Sequence, residues 1–456
     1  MVYMPKIKKI KKIKVAKPVK KAPVAAVVAP KVKPPEAVQL LRGFKDVLPV
    51  DSAYWLFIQD KLRELAISHG FEAIETPILE NVNLFVRAVG KQTDIVDKEM
   101  FIFEDRGGER VALRPEGTAA IARAYITHGM LSQPQPVKLW YFGPFFRYER
   151  PQSGRLREFH QAGFEIIGDA NPVLDAQLMI AAVGFFHDLG LGDITLQVNS
   201  IGCPKCREKF KEALTEYFRA NRPKLCEDCK KRLLKNPLRI LDCKNESCIA
   251  LKPGAPQIID WLDDDCKNHF TRVLEYLDDA NVAYVLNPYL VRGLDYYTRT
   301  VFEIWPGEED RGQNTLCGGG RFDGLMEILG GRPTPAIGMA MGIERIISRL
   351  RELAVAVPAP RKPDVFVAAL GEPAKKKCLQ LFEDLRHAQI LVSENFSRDG
   401  LKSQLESANK FGARYTVILG QKEVSDGTII IRDMDSGVQE VIDYTKIVGE
   451  LKKKLG

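Results

Sequence analysis

Apolar positions along this chain switch between a helical and a strand period, and the switches mark out its elements. Trp55, Ile58, Leu62, Leu65 and Ala66 recur at helical spacing behind Asp51 and stop at Gly70, which predicts a helix capped by Asp51. GFEAIETPILE follows as a strand closed by Pro77. FIFED and RVALRPE flank the turn RGGE and predict a hairpin, because paired glycines supply positive φ angles. TAAIARAYI predicts a helix with Thr118 as its cap. The longest alternating stretches are LWYFGPFFRYE and HQAGFEIIG, separated by the turn formers of RPQSGR. They predict a long antiparallel hairpin with a basic tip. Arg147 and Glu149 then share one face of the first strand, and Gln161 and Glu165 share one face of the second. Such groups rarely face an apolar core unless paired, so this face reads as a wet site or as an ion-paired sheet surface.

Beyond the hairpin, DAQLMIAAVGFFHDLGL predicts a helix and ITLQVNSIG a strand. YVLNPYLVRGLDYYTRTVFEIWP gives two strands around a polar crossing, TLCGGGRFDGL a glycine-rich turn, and AIGMAMGIERIISRL a strand turning into a helix. The Pro-rich run VAVPAPRKP marks a linker at 356–363. After it, DVFVAAL, a stripe of Cys378, Leu381, Phe382 and Leu385, and the strands YTVILG and TIIIRDM alternate. That pattern predicts a small α/β domain over 364–456 with a mostly parallel sheet.

Charge changes the picture only at one end. The chain of 456 residues has a net charge of +8, yet residues 1–40 hold eleven Lys and one Glu, which leaves −2 on the rest. This Lys, Ala, Val and Pro tail has too little apolar surface to offset its ordering entropy and is expected to be disordered. It suits either a loose electrostatic hold on RNA or a solubilising extension. No stretch approaches the apolar length of a membrane span. Nine cysteines without a signal sequence point to a reducing compartment and a cytoplasmic protein.

The chemistry begins with what is missing. There is no GxxxxGK[ST] phosphate loop, no HExxH, and neither HIGH nor KMSKS. Arginines come instead from three distant segments: Arg147 on the hairpin, Arg292 in VRGLDYY and Arg345 in GIERI. Planar, permanently charged forks suit triphosphate oxygens. The RPEGT run also sets Glu116, Gly117 and Thr118 at a strand-to-helix junction, a carboxylate and a hydroxyl able to hold an ammonium group.

FRYERPQSGRLREFHQAGFE resembles motif 2 of class II aminoacyl-tRNA synthetases, AIGMAMGIERI resembles motif 3, and the long helix with its Pro-ended strand resembles the dimer-forming motif 1. LVRGLDYYTRTVFE and CGGGRFDGL are similar to the two signatures peculiar to histidyl-tRNA synthetases of bacterial type, and the likeness runs from about residue 41 to the end. It implies an α+β catalytic domain over 41–355 with a mainly antiparallel sheet, a helical insertion at 203–266, and a C-terminal α/β anticodon-binding domain. It implies a homodimer that uses ATP and Mg²⁺ to make histidyl-adenylate and passes histidine to tRNA(His). Catalytic-silent paralogues lack the anticodon domain and lose site residues; this chain keeps both.

Carried over by position, the resemblance gives the α-amino end of L-histidine to Glu116, Gly117, Thr118 and Gln161, and the imidazole to Glu165 with Tyr296 and Tyr297. Arg147 would meet the α-phosphate and the histidine carboxylate, Glu149 the adenine side and Arg345 the γ-phosphate, while Arg292 would stabilise charge on the α-phosphate. Gln152, Arg155 and Arg157 would meet the tRNA acceptor end. Seven of the nine cysteines crowd into 203–266. Cys203, Cys206, Cys226 and Cys229 form two CxxC pairs at the spacing of a Cys₄ zinc site, with Cys243 and Cys248 as spare candidates. Zinc is not general among histidyl-tRNA synthetases, so structural Zn²⁺ and buried free thiols both stay open.

Overall fold

The structure, a computed structural model, describes residues 37–91, 93–149, 155–307, 315–359 and 361–456. The expected basic tail, all but its last few residues, and Gln152 at the hairpin tip lie outside the described residues. Strands Glu72–Ala73, Val137–Phe146, Glu158–Ile167, Ala336–Gly342, Cys317–Arg321, Thr298–Pro306, Ile194–Ser200 and Val285–Leu286 stand side by side in that order in one sheet. The inner pairings are all antiparallel; only the two-residue edge strands run parallel to their neighbours.

Alternation along these strands gives the sheet two apolar faces. Helices Ser52–His69, Pro172–Asp188, Asp264–Asp279 and Ile343–Glu352 cover one of them. The second of these is capped by Asn171, whose side chain accepts from the Val173 amide, and it buries Met179, Phe185 and Phe186 completely. Each such side chain stabilises the fold by about 1.5–3 kcal/mol. Arg321, fully buried, ties this helix to the sheet through Asp175 at 2.8 Å and the carbonyl of Asn171. Helices Val82–Ala88 and Thr118–Thr127 pack on the opposite face. The predicted FIFED–RVALRPE hairpin is present as Ile102–Glu104 and Arg110–Leu113, joined by Leu79–Asn81 into a small sheet.

Several sequence expectations need correction. Asp51 has helical backbone angles rather than the extended ones of a capping residue; its carboxylate pairs with Arg351 instead. GFEAIETPILE is not one strand, because Pro77 breaks the ladder and its two ends join different sheets. The glycine run of TLCGGGRFDGL is a central strand, not a turn, with Gly318 facing the Arg292 guanidinium so closely that a Cβ would lie 2.5 Å from its nitrogens. The first hairpin strand ends at Phe146. Arg147 keeps one ladder bond to the Arg157 carbonyl, and the chain then turns as the Glu149 amide donates back to the Arg147 carbonyl, so Arg147 and Glu149 do not alternate on a strand face.

In the C-terminal part, strands Val392–Glu394, Val365–Ala369, Tyr415–Leu419, Thr428–Asp433 and Gln439–Asp443 form a second sheet, flanked by helices Glu372–His387 and Leu401–Phe411. Its first two pairings are parallel and its last two antiparallel, so it is mixed rather than mostly parallel. The reason is loop length. Only the six-residue helix Gln421–Asp426 and a turn tied by Asp433 join the last three strands, too little for crossover connections. Among the described residues, no helix is long and apolar enough to cross a membrane.

Candidate functional site

One sheet face carries the polar groups that the sequence singled out, and they fall into a buried pocket and an open cleft. The pocket starts where strand passes to helix at Glu116. Its carboxylate accepts from the amides of Thr118 (2.8 Å) and Ala119 (2.9 Å) and from the Tyr296 hydroxyl (3.2 Å). Glu116 therefore caps the helix, and Thr118 does not; the Thr118 hydroxyl donates instead to Glu165 Oε1 at 2.8 Å. Burial pushes the Glu116 carboxyl up, against the pull of those two amides.

Glu165 is the least compensated group in the pocket. It is 1 % exposed, and burial pushes its carboxyl well above the usual range. Its Oε2 has no hydrogen-bond partner among the described residues. The neighbouring strand makes room for it with Gly338, where a Cβ would fall 1.5 Å from that oxygen. An orphan buried acceptor costs about 1–3 kcal/mol, which favours a binding role over a packing one. Tyr141, on the adjacent strand, likewise buries a hydroxyl without a partner, and burial followed by the nearby Glu165 and Glu116 carboxylates raises its pKa well above the ordinary phenol value. In the sequence Tyr141 is one aromatic among several in LWYFGPFF. Its position opposite Gly163 and on the Glu165 face was the available signal.

In front of the pocket lies a cavity of about 530 Å³, lined by Arg147, Glu149, Arg155, Gln161, Arg292 and Arg345 among others. The three distant arginines thus meet in one cleft. Arg147 is held by Nε donating to the Pro115 carbonyl at 2.9 Å, with its guanidinium over the Phe159 ring. Arg292 pairs with Glu303, whose other oxygen accepts from Trp305 Nε1 at 2.7 Å and Thr315 Oγ1 at 3.0 Å. Arg345 donates to the Thr315 carbonyl at 2.9 Å; burial, then the nearby Arg155, lowers its pKa. Gln161 faces the cleft with its Oε1 unpartnered, and the Arg292 guanidinium lies 5.6 Å from the Tyr297 ring centre, so these two residues link cleft to pocket.

Near the hairpin tip, Arg155 pairs with Glu149 at 3.0 Å and Arg157 stacks 3.8 Å over the Tyr148 ring. Arg239, Asp242, Lys244 and Lys252, all from the cysteine-rich insertion, form the facing wall of the cleft, a contribution no local motif announced. The proposed quartet Cys203, Cys206, Cys226 and Cys229 is not a cluster. Cys226 and Cys229 gather with Cys243 and Cys248, while Cys203 and Cys206 gather with Asp263 and Cys266. Each CxxC opens its own helix, Pro204–Ala220 and Glu227–Lys235, and these helices direct the pairs to separate places.

An antiparallel sheet bearing a buried cluster of carboxylates and hydroxyls behind an arginine-lined cleft, with a separate mixed α/β domain, is the architecture of a class II aminoacyl-tRNA synthetase. A family model for histidyl-tRNA synthetase matches residues 43–205 and 250–346, and one for an anticodon binding domain matches 364–454. Histidine–tRNA ligase of Dehalococcoides mccartyi strain 195 is 47 % identical over 91 % of this chain and 99 % of its own, and that of Pelotomaculum thermopropionicum 44 % over 91 % and 97 %. The crystal structure of apo S. aureus histidyl-tRNA synthetase superposes with a TM-score of 0.75 at 35 % identity, covering 91 % of this chain and all of that one. The chain belongs to the histidyl-tRNA synthetase family.

Proposed function

We propose how the residues of this site divide the work of a histidine–tRNA ligase. The chain joins L-histidine to ATP, forming histidyl-adenylate, and transfers the histidine to tRNA(His) with release of AMP and diphosphate. The observation that carries the assignment is the orphan Oε2 of Glu165, a buried acceptor aimed beside Gly338 among other buried polar groups. An imidazole N–H satisfies that oxygen, and the Tyr141 hydroxyl supplies a second polar contact. A ligand without such groups leaves buried partners unpaired, so polar readout of this kind rejects isosteres strongly. Glu116 and Thr118, with Gly117, Gln161 and Tyr296, form the end that takes the α-ammonium, and Tyr297 closes the side nearest Arg292.

In the cleft, Arg147 holds the histidine carboxylate against the α-phosphate, and Arg292 meets the charge that grows there as the carboxylate attacks in line. Arg345 takes the γ-phosphate and Glu149 the adenine side. Asp242, on the cleft wall, is a hard oxygen donor that would hold a Mg²⁺ ion, which would supply positive charge beside the diphosphate. No residue needs to form a covalent intermediate; catalysis is positioning plus charge stabilisation. Arg155 and Arg157 contact the tRNA acceptor end. A cytoplasmic homodimer completes the reading, consistent with nine free cysteines.

The test is ATP–diphosphate exchange across the amino acids, followed by aminoacylation of tRNA(His) with and without its extra 5′ guanosine. Exchange should depend on histidine alone, and charging should fall without the guanosine. Equal exchange with another amino acid would overturn the pocket assignment.

A further inference from the structure

Outside the site, the most organised chemistry in the molecule is the sulfur cluster of the insertion. Cys226, Cys229, Cys243 and Cys248 come from three separate turns of chain, yet their four sulfurs all lie within 4.8 Å of one another. Cys226 Sγ and Cys243 Sγ are 3.8 Å apart, too far for a disulfide, and all four cysteines are free. Four thiolates at about 2.3 Å from a tetrahedral zinc stand roughly 3.8 Å from each other. Backbone amides are turned on the sulfurs as well: the Cys226 amide donates to Cys248 Sγ at 3.3 Å and the Asn245 amide to Cys243 Sγ at 3.4 Å. Such N–H···S bonds stabilise negative sulfur and are the outer support expected of a thiolate metal site. Cys226 is the N-cap and Cys229 the third residue of Glu227–Lys235, at a helix end whose partial positive charge favours anionic ligands.

Apolar packing alone gives no reason for four sulfurs to converge or for amides to face them. A staple does. Between Ala220 and Asp263 the insertion has one nine-residue helix, a single-turn helix and short 3₁₀ turns around a small core. Segments this short rarely bury enough to hold themselves. We propose that Cys226, Cys229, Cys243 and Cys248 bind one Zn²⁺ as a tetrahedral tetrathiolate, and that this ion fixes the insertion as the far wall of the cleft. The stapled chain carries that wall directly. Arg232, within the stapled helix, pairs with Asp94 at 3.2 Å, and Asn236, just past its end, donates to Asp295 at 3.2 Å. Lys244 and Lys252, which line the cleft, flank Cys243 and Cys248.

The test is elemental analysis of the full chain purified without chelator, alongside Cys243→Ser and, in the neighbouring cluster, Cys266→Ser. Relative to the parent, Cys243→Ser should lose one zinc per chain, while Cys266→Ser keeps the zinc held by the tetrad. A parent with less than about 0.2 zinc per chain, or a Cys243→Ser variant with the parent's metal content, overturns the proposal. Should Cys243→Ser not fold, the parent and Cys266→Ser reconstituted with Co²⁺ answer instead. Tetrahedral ligand-field bands with thiolate charge transfer, retained in Cys266→Ser, support the site; an octahedral spectrum or one without thiolate charge transfer refutes it.

Discussion

Pocket and cleft share one sheet face but solve recognition by opposite means. In the pocket, Glu116, Thr118, Tyr141 and Glu165 are buried; Glu116 is held by two amides and a phenol, while Glu165 Oε2 and the Tyr141 hydroxyl have no partner among the described residues, so those two atoms are the ones a ligand must satisfy. In the cleft, Arg147, Arg155, Arg292 and Arg345 face a partly open cavity together with acidic Glu149 and Glu303, and charge is pooled rather than assigned. Desolvated hydrogen bonds discriminate steeply because unmet groups are costly. Clustered guanidinium groups tolerate variation in the ligand but act strongly on a transition state that gains charge.

The contrast is most exposed to failure at Arg292. Arg292→Ala should lower adenylation by about two to three orders of magnitude while changing histidine affinity little, on the scale of a lost transition-state donor. Diphosphate exchange at a near-normal rate in that variant would dissolve the cleft's catalytic role. Next comes Gly338→Ala, whose methyl group must displace Glu165 Oε2. At a cost of about 1–3 kcal/mol it should raise the histidine KM by about one to two orders of magnitude and leave the ATP KM alone. Parallel losses for both substrates would mean that pocket and cleft are not separable. Tyr141→Phe should weaken histidine about five- to tenfold, the scale of one hydrogen bond, and an unchanged KM would remove Tyr141 from the pocket.

The smallest effect concerns pH. Burial raises the Glu165 carboxyl above its unfolded value, so the stability tied to its protonated form is present below the usual carboxylate range and is lost as pH rises through the raised value. Glu165→Gln should therefore raise the melting temperature of the ligand-free chain by about 2–4 °C at neutral pH and by nothing near pH 4. A gain of equal size at both pH values would show that something other than the buried charge is responsible.

How far the sequence could be read follows the same division. Period and turn chemistry located the hairpin, the helix ending at Gly70 and the strand-to-helix turn before Arg345, because those signals are local. Three arginines from distant segments were enough to suggest the cleft, although none of them lies on a strand. The run at Cys317–Arg321 misled, since three glycines read as a turn when each admits a close neighbour: Gly318 the guanidinium of Arg292, from 26 residues earlier, Gly319 the Gly338 carbonyl and Gly320 the Thr300 carbonyl. The cysteine quartet failed similarly: spacing joins each CxxC internally, but which pairs meet depends on how two helices are aimed. Glu116 displaced Thr118 as the cap because the Thr118 hydroxyl is taken by Glu165, 47 residues away. Whatever depends on contact between distant strands had no periodicity to betray it.

One ladder has a consequence for the whole reaction. Along the pairing of Glu158–Ile167 with Ala336–Gly342, Glu165 stands opposite Gly338, and Gln161 stands opposite Gly342, three residues before Arg345. On the proposed assignment, amino acid and nucleotide are measured on a single ruler, ruled by backbone bonds between the same two strands. A slip of one residue would turn every mark to the wrong side of the sheet, so neither substrate's seat can drift without carrying the other's with it.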